Sequence, residues 1–329
     1  MKIKFSIIIP FYNSEKTIGK CLKAISNSNY KNYEVITVSD NSKDRSSEIV
    51  KKFKCKILKL NKRRGAGFAR NAGSKLAKGN YLLFLDSDVI IGNRTLSHFN
   101  KEIKNKKKVI QGVYSNKPNY KSAVTQYQQC FYIFYTWHKD LKYTSTLVTN
   151  CFAIEKKIFN EVGGFNNKIT GATSEDEEFG YKILKKGYKI YISRKIQVIH
   201  DVNYSFQDFV NRSFVMYFNT IKSFLRNKLI SHKTEQKNYK SVLLSIPLSG
   251  LIFISLFLFI LFKEIFLFYS FAIFLSLHFI LNYNFLKFVL NTKGLAMALG
   301  AMFYNIIDNI LMGSATFFGM IHYFLGKKY

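Results

Sequence analysis

Proline is scarce in this chain, three among 329 residues, and with 18 glycines it excludes collagen-like and proline-rich architectures. Cysteine is scarce too: four, at 21, 55, 130 and 151, with no C-x-x-C pair and no ligand-like spacing to histidine. Neither a disulfide framework nor a zinc site is expected, and the cysteines read as small buried hydrophobes of a reducing compartment. A secretory leader is not expected either. The first apolar run, Ser6-Ile7-Ile8-Ile9, is too short for one, meets a turn at once, and reads as a β-strand. Acid is in deficit: 20 Asp+Glu against 50 Lys+Arg leave a formal net charge of +30, which asks for an anionic partner such as nucleic acid, a membrane surface or a phosphorylated substrate. What is plentiful is apolar: 48% hydrophobic and 16% aromatic residues exclude a disordered chain.

Both the charge and the patterning divide the chain. The first 240 residues hold 45 bases and 18 acids, the remainder five and two. Through the first hundred residues short apolar runs (5–10, 33–38, 56–60 and 81–85) alternate with helical patterns, such as Ile18, Leu22 and Ile25, or the Ala-rich 65–78. Such alternation predicts an α/β fold with a mostly parallel sheet and ligands at the carboxyl ends of its strands. Farther on, 242–262 is 21 residues without a charge and 265–286 is 22 residues with His278 as the one side chain that titrates near neutral pH. Each meets the roughly 20 apolar residues a membrane span needs. A third apolar stretch, 294–326, is interrupted by Asn305, Asp308 and Asn309; it reads either as one tilted span or as an interfacial helix followed by a short span. Between the two regions, Phe206, Phe209, Val210, Phe214, Tyr217, Ile221 and Phe224 recur at helical spacing among basic residues, an amphipathic pattern suited to a headgroup plane or to packing on the soluble part. The expected division is 1–205 as an α/β domain, 206–240 as amphipathic helix and basic linker, and 241–329 as a membrane region of two or three helices.

Two acidic constellations carry chemistry. Asp86-Ser87-Asp88 follows an apolar strand, where one carboxylate can bind a divalent cation and the other a hydroxyl; oxygen ligands of this kind suit Mg²⁺ or Mn²⁺. Ser174-Glu175-Asp176-Glu177-Glu178 crowds four carboxylates into one turn, which raises the proton affinity of one of them. Ser174 with Glu177 also fits a capping box opening a helix. The aromatic block 126–137, with Trp137 at its end, reads first as core and second as an acceptor groove.

These residues stand in a wider pattern. Ile7-Ile8-Ile9-Pro10-Phe11-Tyr12-Asn13, Val38-Ser39-Asp40-Asn41-Ser42-Lys43-Asp44, the run from Gly65 through Gly73 to Asp88, Val162-Gly163-Gly164-Phe165 and the acidic turn resemble, in order and spacing, family 2 glycosyltransferases of the GT-A fold. The second motif departs from the family's V-D-D-G-S-x-D at Ser39 and Asn41. The resemblance implies that Pro10, Tyr12, Asp40, Gly65, Arg70 and Asp86 bind a nucleoside diphosphate sugar, with Tyr12 stacking on the base and Asp40 accepting its imide hydrogen. It implies Asp88 and His200 as ligands of Mn²⁺ or Mg²⁺, Asp176 as catalytic base, and Glu175 with Trp137 on the acceptor side. Lys182 stands where many relatives carry Arg.

The expected protein is a metal-dependent, inverting glycosyltransferase of a cytoplasmic (inner) membrane. Its catalytic domain would face the cytosol, and a sugar would pass from a donor, UDP-linked by preference, to a hydroxyl of a lipid-linked or other membrane-associated glycan. A polyprenyl-phosphate sugar synthase is the nearer alternative, although a phosphate acceptor needs no base. A basic nucleic-acid-binding membrane protein is the alternative of another class; no RNP, helix-turn-helix or zinc-finger pattern supports it, so no nucleic-acid partner is expected.

Overall fold

The computed structural model describes residues 4–115, 122–137, 142–169, 174–227 and 239–327. Its first half alternates strand and helix: β1 (Phe5–Phe11), α1 (Ile18–Ser26), β2 (Tyr33–Ser39), α2 (Ser46–Lys51), β3 (Lys56–Lys59), α3 (Ala66–Lys75), β4 (Tyr81–Leu85), β5 (Val89–Ile91) and α4 (Thr95–Lys104). There follow β6 (Val109–Tyr114), α5 (Ala123–Trp137), β7 (Tyr143–Thr144), β8 (Cys151–Glu155), α6 (Lys156–Val162), α7 (Glu175–Lys185) and β9 (Ile190–His200). Four helices complete the described chain: α8 (Phe206–Arg226), α9 (Tyr239–Phe262), α10 (Ile265–Lys293) and α11 (Leu295–Phe324).

The strands form one mixed sheet in the order β3-β2-β1-β4-β8-β6-β9-β5, with β7 beside β9. The half built from β3, β2, β1 and β4 is parallel, as the alternation of strands and helices requires. β8 then enters antiparallel between β4 and β6, so the sheet is mixed rather than parallel throughout. β1 is buried along its whole length because helices cover both faces, which is why its sequence is an unbroken apolar run. On one face Ile7, Ile9, Leu83 and Leu85 pack with Ile18, Leu22 and Ile25 of α1. On the other, Phe84 stacks 6.2 Å from Phe152 and meets Phe165 edge-on at 5.4 Å, tying β4 to β8 and to the turn after α6. Each such ring buried contributes roughly 2–3 kcal/mol. Cys21, Cys130 and Cys151 are buried thiols and Cys55 is half-buried, all unpaired.

Among the described residues, three helices are long and apolar enough to cross a membrane: Ser241–Phe262, Ile265–Lys293 and Leu295–Phe324. Lys263 and Glu264 alone separate α9 from α10, and Lys263 takes a left-handed φ of 60° to make the turn. The third apolar stretch is one continuous helix of 30 residues. Asn305, Asp308 and Asn309 do not break it, because they share its buried face. The basic linker lies mostly at 228–238, outside the described residues.

Candidate active site

The carboxyl ends of β1, β2 and β4 and the N-terminus of α7 bring most of the singled-out residues to one rim. At its centre is Arg70 on α3, its side chain 4% exposed. Nη2 donates to Asp86 Oδ1 at 2.7 Å and Nη1 to Glu175 Oε1 at 3.0 Å. One guanidinium thus joins the end of β4 to the first residue of α7. Gly67 eases this approach, since a Cβ there would sit tightly, 3.3 Å from Glu175 Cβ. Arg70 is a buried bridge and Glu175 its buried partner. Burial lowers the Arg70 proton affinity, but the charges of Asp86 and Glu175 outweigh it and raise the net value.

Asp88 lies beyond the turn from Asp86. Its Oδ2 is 3.3 Å from His200 Nε2, and its Oδ1 is buried without a hydrogen-bond partner. Burial pushes the Asp88 carboxyl up, yet the hydrogen bond and charge of His200 hold it below its ordinary value. Tyr114 stacks on the His200 ring at 4.9 Å and 9°, fixing its plane. The orphaned oxygen beside an imidazole fits a divalent cation, with the remaining ligands left to donor or water. Among the described residues no group of three or more His, Cys, Asp and Glu side chains is arranged to hold a metal ion.

Asp176 opens α7 beside Glu175 and keeps some solvent exposure; its Oδ1 accepts the Glu177 N–H at 2.9 Å. Enclosure by protein, then the charges of Glu175 and Glu177, push Asp176 well above the ordinary carboxylate range. Ser174 is the N-cap of α7, but no side-chain cap bond forms, so the expected capping box is absent. Glu177 turns instead to α8, where Thr220 donates to its Oε1 at 3.3 Å while Oε2 is buried without a partner. Arg226 of α8 closes on Glu178. The true capping box is at the start of α8, between Ser205 and Asp208.

On the opposite side of the rim, Asp40 is 4% exposed and accepts the backbone N–H groups of Arg64 (2.7 Å) and Gly65 (2.8 Å). It thereby fixes the loop entering α3, where Gly65 has φ 89°. Asn41, in place of the family glycine, has φ 62°, a left-handed conformation that asparagine tolerates. Tyr12 is exposed, with the Arg63 guanidinium 4.0 Å over its ring. Pro10 is buried within β1, opposite Val38 of β2. Asn71 locks the Gly163-Gly164-Phe165 turn: its Nδ2 donates to Phe165 O, and its Oδ1 accepts Phe165 N, both at 2.9 Å. Lys182 donates to Gly164 O at 2.8 Å in the same turn. Trp137 ends α5, and its side chain lies outside the described residues. The aromatic block is otherwise core: Tyr127 and Phe134 are buried against Phe285 of α10. Arg63, Asn71, Thr220 and Arg226 went unassigned in the sequence. Asn71 lay inside a quoted motif, but the other three carry no local signal of their partners.

Residues 6–163 match the family model "Glycosyl transferase family 2", and residues 128–204 match the model described as the N-terminal domain of galactosyltransferase. The chain carries a glycosyl transferase family 2 domain. The poly(ribitol-phosphate) beta-glucosyltransferase of Bacillus spizizenii is 40% identical over 111 residues, 30% of this chain and 18% of that protein. A UDP-Glc:alpha-D-GlcNAc-diphosphoundecaprenol beta-1,3-glucosyltransferase, WfaP of Escherichia coli, is 42% identical over 86 residues, 25% of this chain and 34% of that one. This chain therefore matches about a fifth to a third of the length of these relatives. Among solved structures, a mannosyltransferase from Pyrobaculum calidifontis in complex with GDP-Man and Mn²⁺ superposes with a TM-score of 0.61. It is 14% identical, and the match covers 99% of this chain and 88% of that chain, a likeness of fold. The family 2 domain thus has a GT-A sheet, with apolar helices following it.

Proposed function

We propose that this protein is a membrane-anchored, inverting glycosyltransferase that moves a sugar from a nucleoside diphosphate donor to a hydroxyl of a lipid-linked glycan. The observation that carries the reading is the Arg70 bridge, which holds Asp86 and Glu175, and so the donor end of β4 and the Asp176 turn, on one rim. Tyr12 offers an exposed ring for a base, and each Asp40 oxygen has capacity for one more hydrogen bond, which an imide N–H would use. Uracil is the favoured base, supported by the UDP-Glc donor in the name of WfaP; the lipid-linked acceptor has the same support, together with the three apolar helices. Asp86, a third exposed, keeps an edge for a ribose or sugar hydroxyl.

Asp88 and His200 are the side chains that would hold Mg²⁺ or Mn²⁺, and a bound cation supplies neutralisation of the leaving diphosphate. Asp176 takes the proton of the acceptor hydroxyl as that oxygen attacks the anomeric carbon from the side opposite the diphosphate, which inverts the centre. Enclosure and neighbouring carboxylates raise its proton affinity and make it a better acceptor. The soluble domain and the basic linker face the cytosol by the excess of Lys and Arg on that side.

Calorimetric titration with UDP-sugars, with and without Mn²⁺, tests the donor half. The parent should bind more tightly with the ion, and Asp88→Asn should lose most of that gain, because an amide is a poor ligand for a hard cation. An ion-dependent gain equal to the parent's in Asp88→Asn would overturn the metal assignment.

A further inference from the structure

Length and composition qualify α11 as a third crossing, but its contacts point elsewhere. α8 lies flat on the family 2 domain. Near its start Phe209 packs on Tyr127 of α5 and Arg212 lies 4.6 Å over the Tyr204 ring; near its end Thr220 and Arg226 hold Glu177 and Glu178. α11 runs beside α8 in the same direction. Tyr304 meets Phe209 at 6.2 Å, Asp308 Oδ1 accepts the Tyr217 hydroxyl at 3.0 Å, and His322 Nδ1 is 3.4 Å from Lys222 Nζ. Gly319 permits the contact: a Cβ there would lie 2.5 Å from Ile221 Cγ2 and 2.8 Å from Phe218 O. Contacts from residue 304 to 322 cover about 27 Å of helix. A helix that follows α8 for this distance lies along the domain, not away from it.

The hairpin of α9 and α10 meets α11 from its domain-side ends as far as the middle of α10, where the His278 side chain hydrogen-bonds Asn305. A Cβ on Gly313 would lie 3.0 Å from Ile246 Cγ2, seven residues into α9. Met297, Ala298 and Ala301 share a buried cluster with Phe285, Leu286 and Val289 near the end of α10. Around the far turn Phe257, Ile260, Phe262, Ile265, Phe266 and Tyr269 are all exposed. A crossing would set Asp308, within two residues of the helix centre, at the bilayer midplane. Instead the Asp308 carboxylate accepts hydroxyls from Tyr127 and Tyr217, one on α5 and one on α8.

We infer that α11 lies in the plane of the membrane surface beside α8, between the catalytic domain and a two-span hairpin, and that the chain beyond it stays on the catalytic side. The inference rests on reading α9 and α10 as spans. Single cysteines replacing Lys51 on the domain, Lys263 at the far turn and Lys327 after α11, all exposed, would be probed with a membrane-impermeant maleimide in right-side-out and inverted vesicles, the parent serving as blank. Positions 51 and 327 should label from one side and 263 from the other. Nitroxides placed singly at Leu299 and Phe317, exposed and about 27 Å apart along α11, should report nearly equal depth. Labelling of 327 together with 263, or nitroxide depths differing by roughly 18–27 Å, would overturn the inference. Labelling of all three positions from one side would remove the crossings and the inference with them, while donor binding and glycosyl transfer would still test the enzyme separately.

Discussion

Replacing Arg70 by methionine keeps much of the side-chain volume and deletes the charge between Asp86 and Glu175. The Glu175 side chain is 6% exposed and its Oε1 takes Nη1 at 3.0 Å, so the change strands a carboxylate that water hardly reaches. Breaking a buried pair from one side costs about 3–5 kcal/mol. For a chain of this size that is a fall in melting temperature of roughly 4–7 °C. Arg70→Lys should fall between, because one ammonium cannot fork across two carboxylates held by separate nitrogens. Adding Glu175→Gln to Arg70→Met removes the stranded charge and should restore part of the loss, with a coupling of about 0.5–3 kcal/mol. The assay is thermal unfolding of the purified full chain in detergent, with donor affinity read on the same samples. An Arg70→Met protein that melts within about 2 °C of the parent yet loses donor affinity would refute the bridge and return Arg70 to direct nucleotide contact.

Two further outcomes follow from the same rim. Burial, with the charges of Glu175 and Glu178, pushes Glu177 up to about 7 from an ordinary 4.5. A carboxyl whose folded value is raised contributes stability that is complete below 4.5 and is lost as pH rises through about 7. Glu177→Gln should therefore match the parent near pH 5 and exceed it near pH 8.5 by about 3 kcal/mol, read as a gap between melting curves that opens with pH; a gap independent of pH would contradict this. Gly164→Ala places a Cβ 2.6 Å from Asn71 Oδ1 at φ 61° and should cost about 1–3 kcal/mol in denaturant unfolding. Gly163→Ala, at φ 80° with open space around it, should cost less.

What was legible in the sequence was what depends on neighbours along the chain. β4 could be delimited to the residue because its apolar run stops at Asp86, and the break between α9 and α10 because Lys263-Glu264 is the only charge between two apolar runs. The motif positions could be named, but not their partners. Arg70 and Glu175 are 105 residues apart, and their meeting depends on α3 and α7 touching at Gly67. Ser174 and Glu177 satisfy a local capping pattern, yet Thr220 of α8 draws Glu177 away, a tertiary contact that no local window contains. Asn305, Asp308 and Asn309 looked like a break in α11 because Tyr127 and Tyr217, the hydroxyls that compensate Asp308, are 181 and 91 residues away. The antiparallel entry of β8 is hidden for the same reason. Its apolar residues fit either strand direction, and the choice is made by pairing with β4.

Asp176 as the base is the central assignment, and one variant tests it: Asp176→Asn, with donor affinity and transfer rate measured separately and the parent's rate followed across pH. The amide keeps the shape but cannot accept a proton, so donor binding should stay near the parent's while turnover falls by roughly 10²–10⁴-fold. The ionised base is the working form. The parent's rate should therefore fall as pH drops through a value above the ordinary carboxylate range, the direction in which enclosure, Glu175 and Glu177 move Asp176. That limb should be missing from the residual activity of the variant. Transfer at nearly the parent rate, or a loss of donor affinity as large as that of Asp88→Asn, would contradict the assignment.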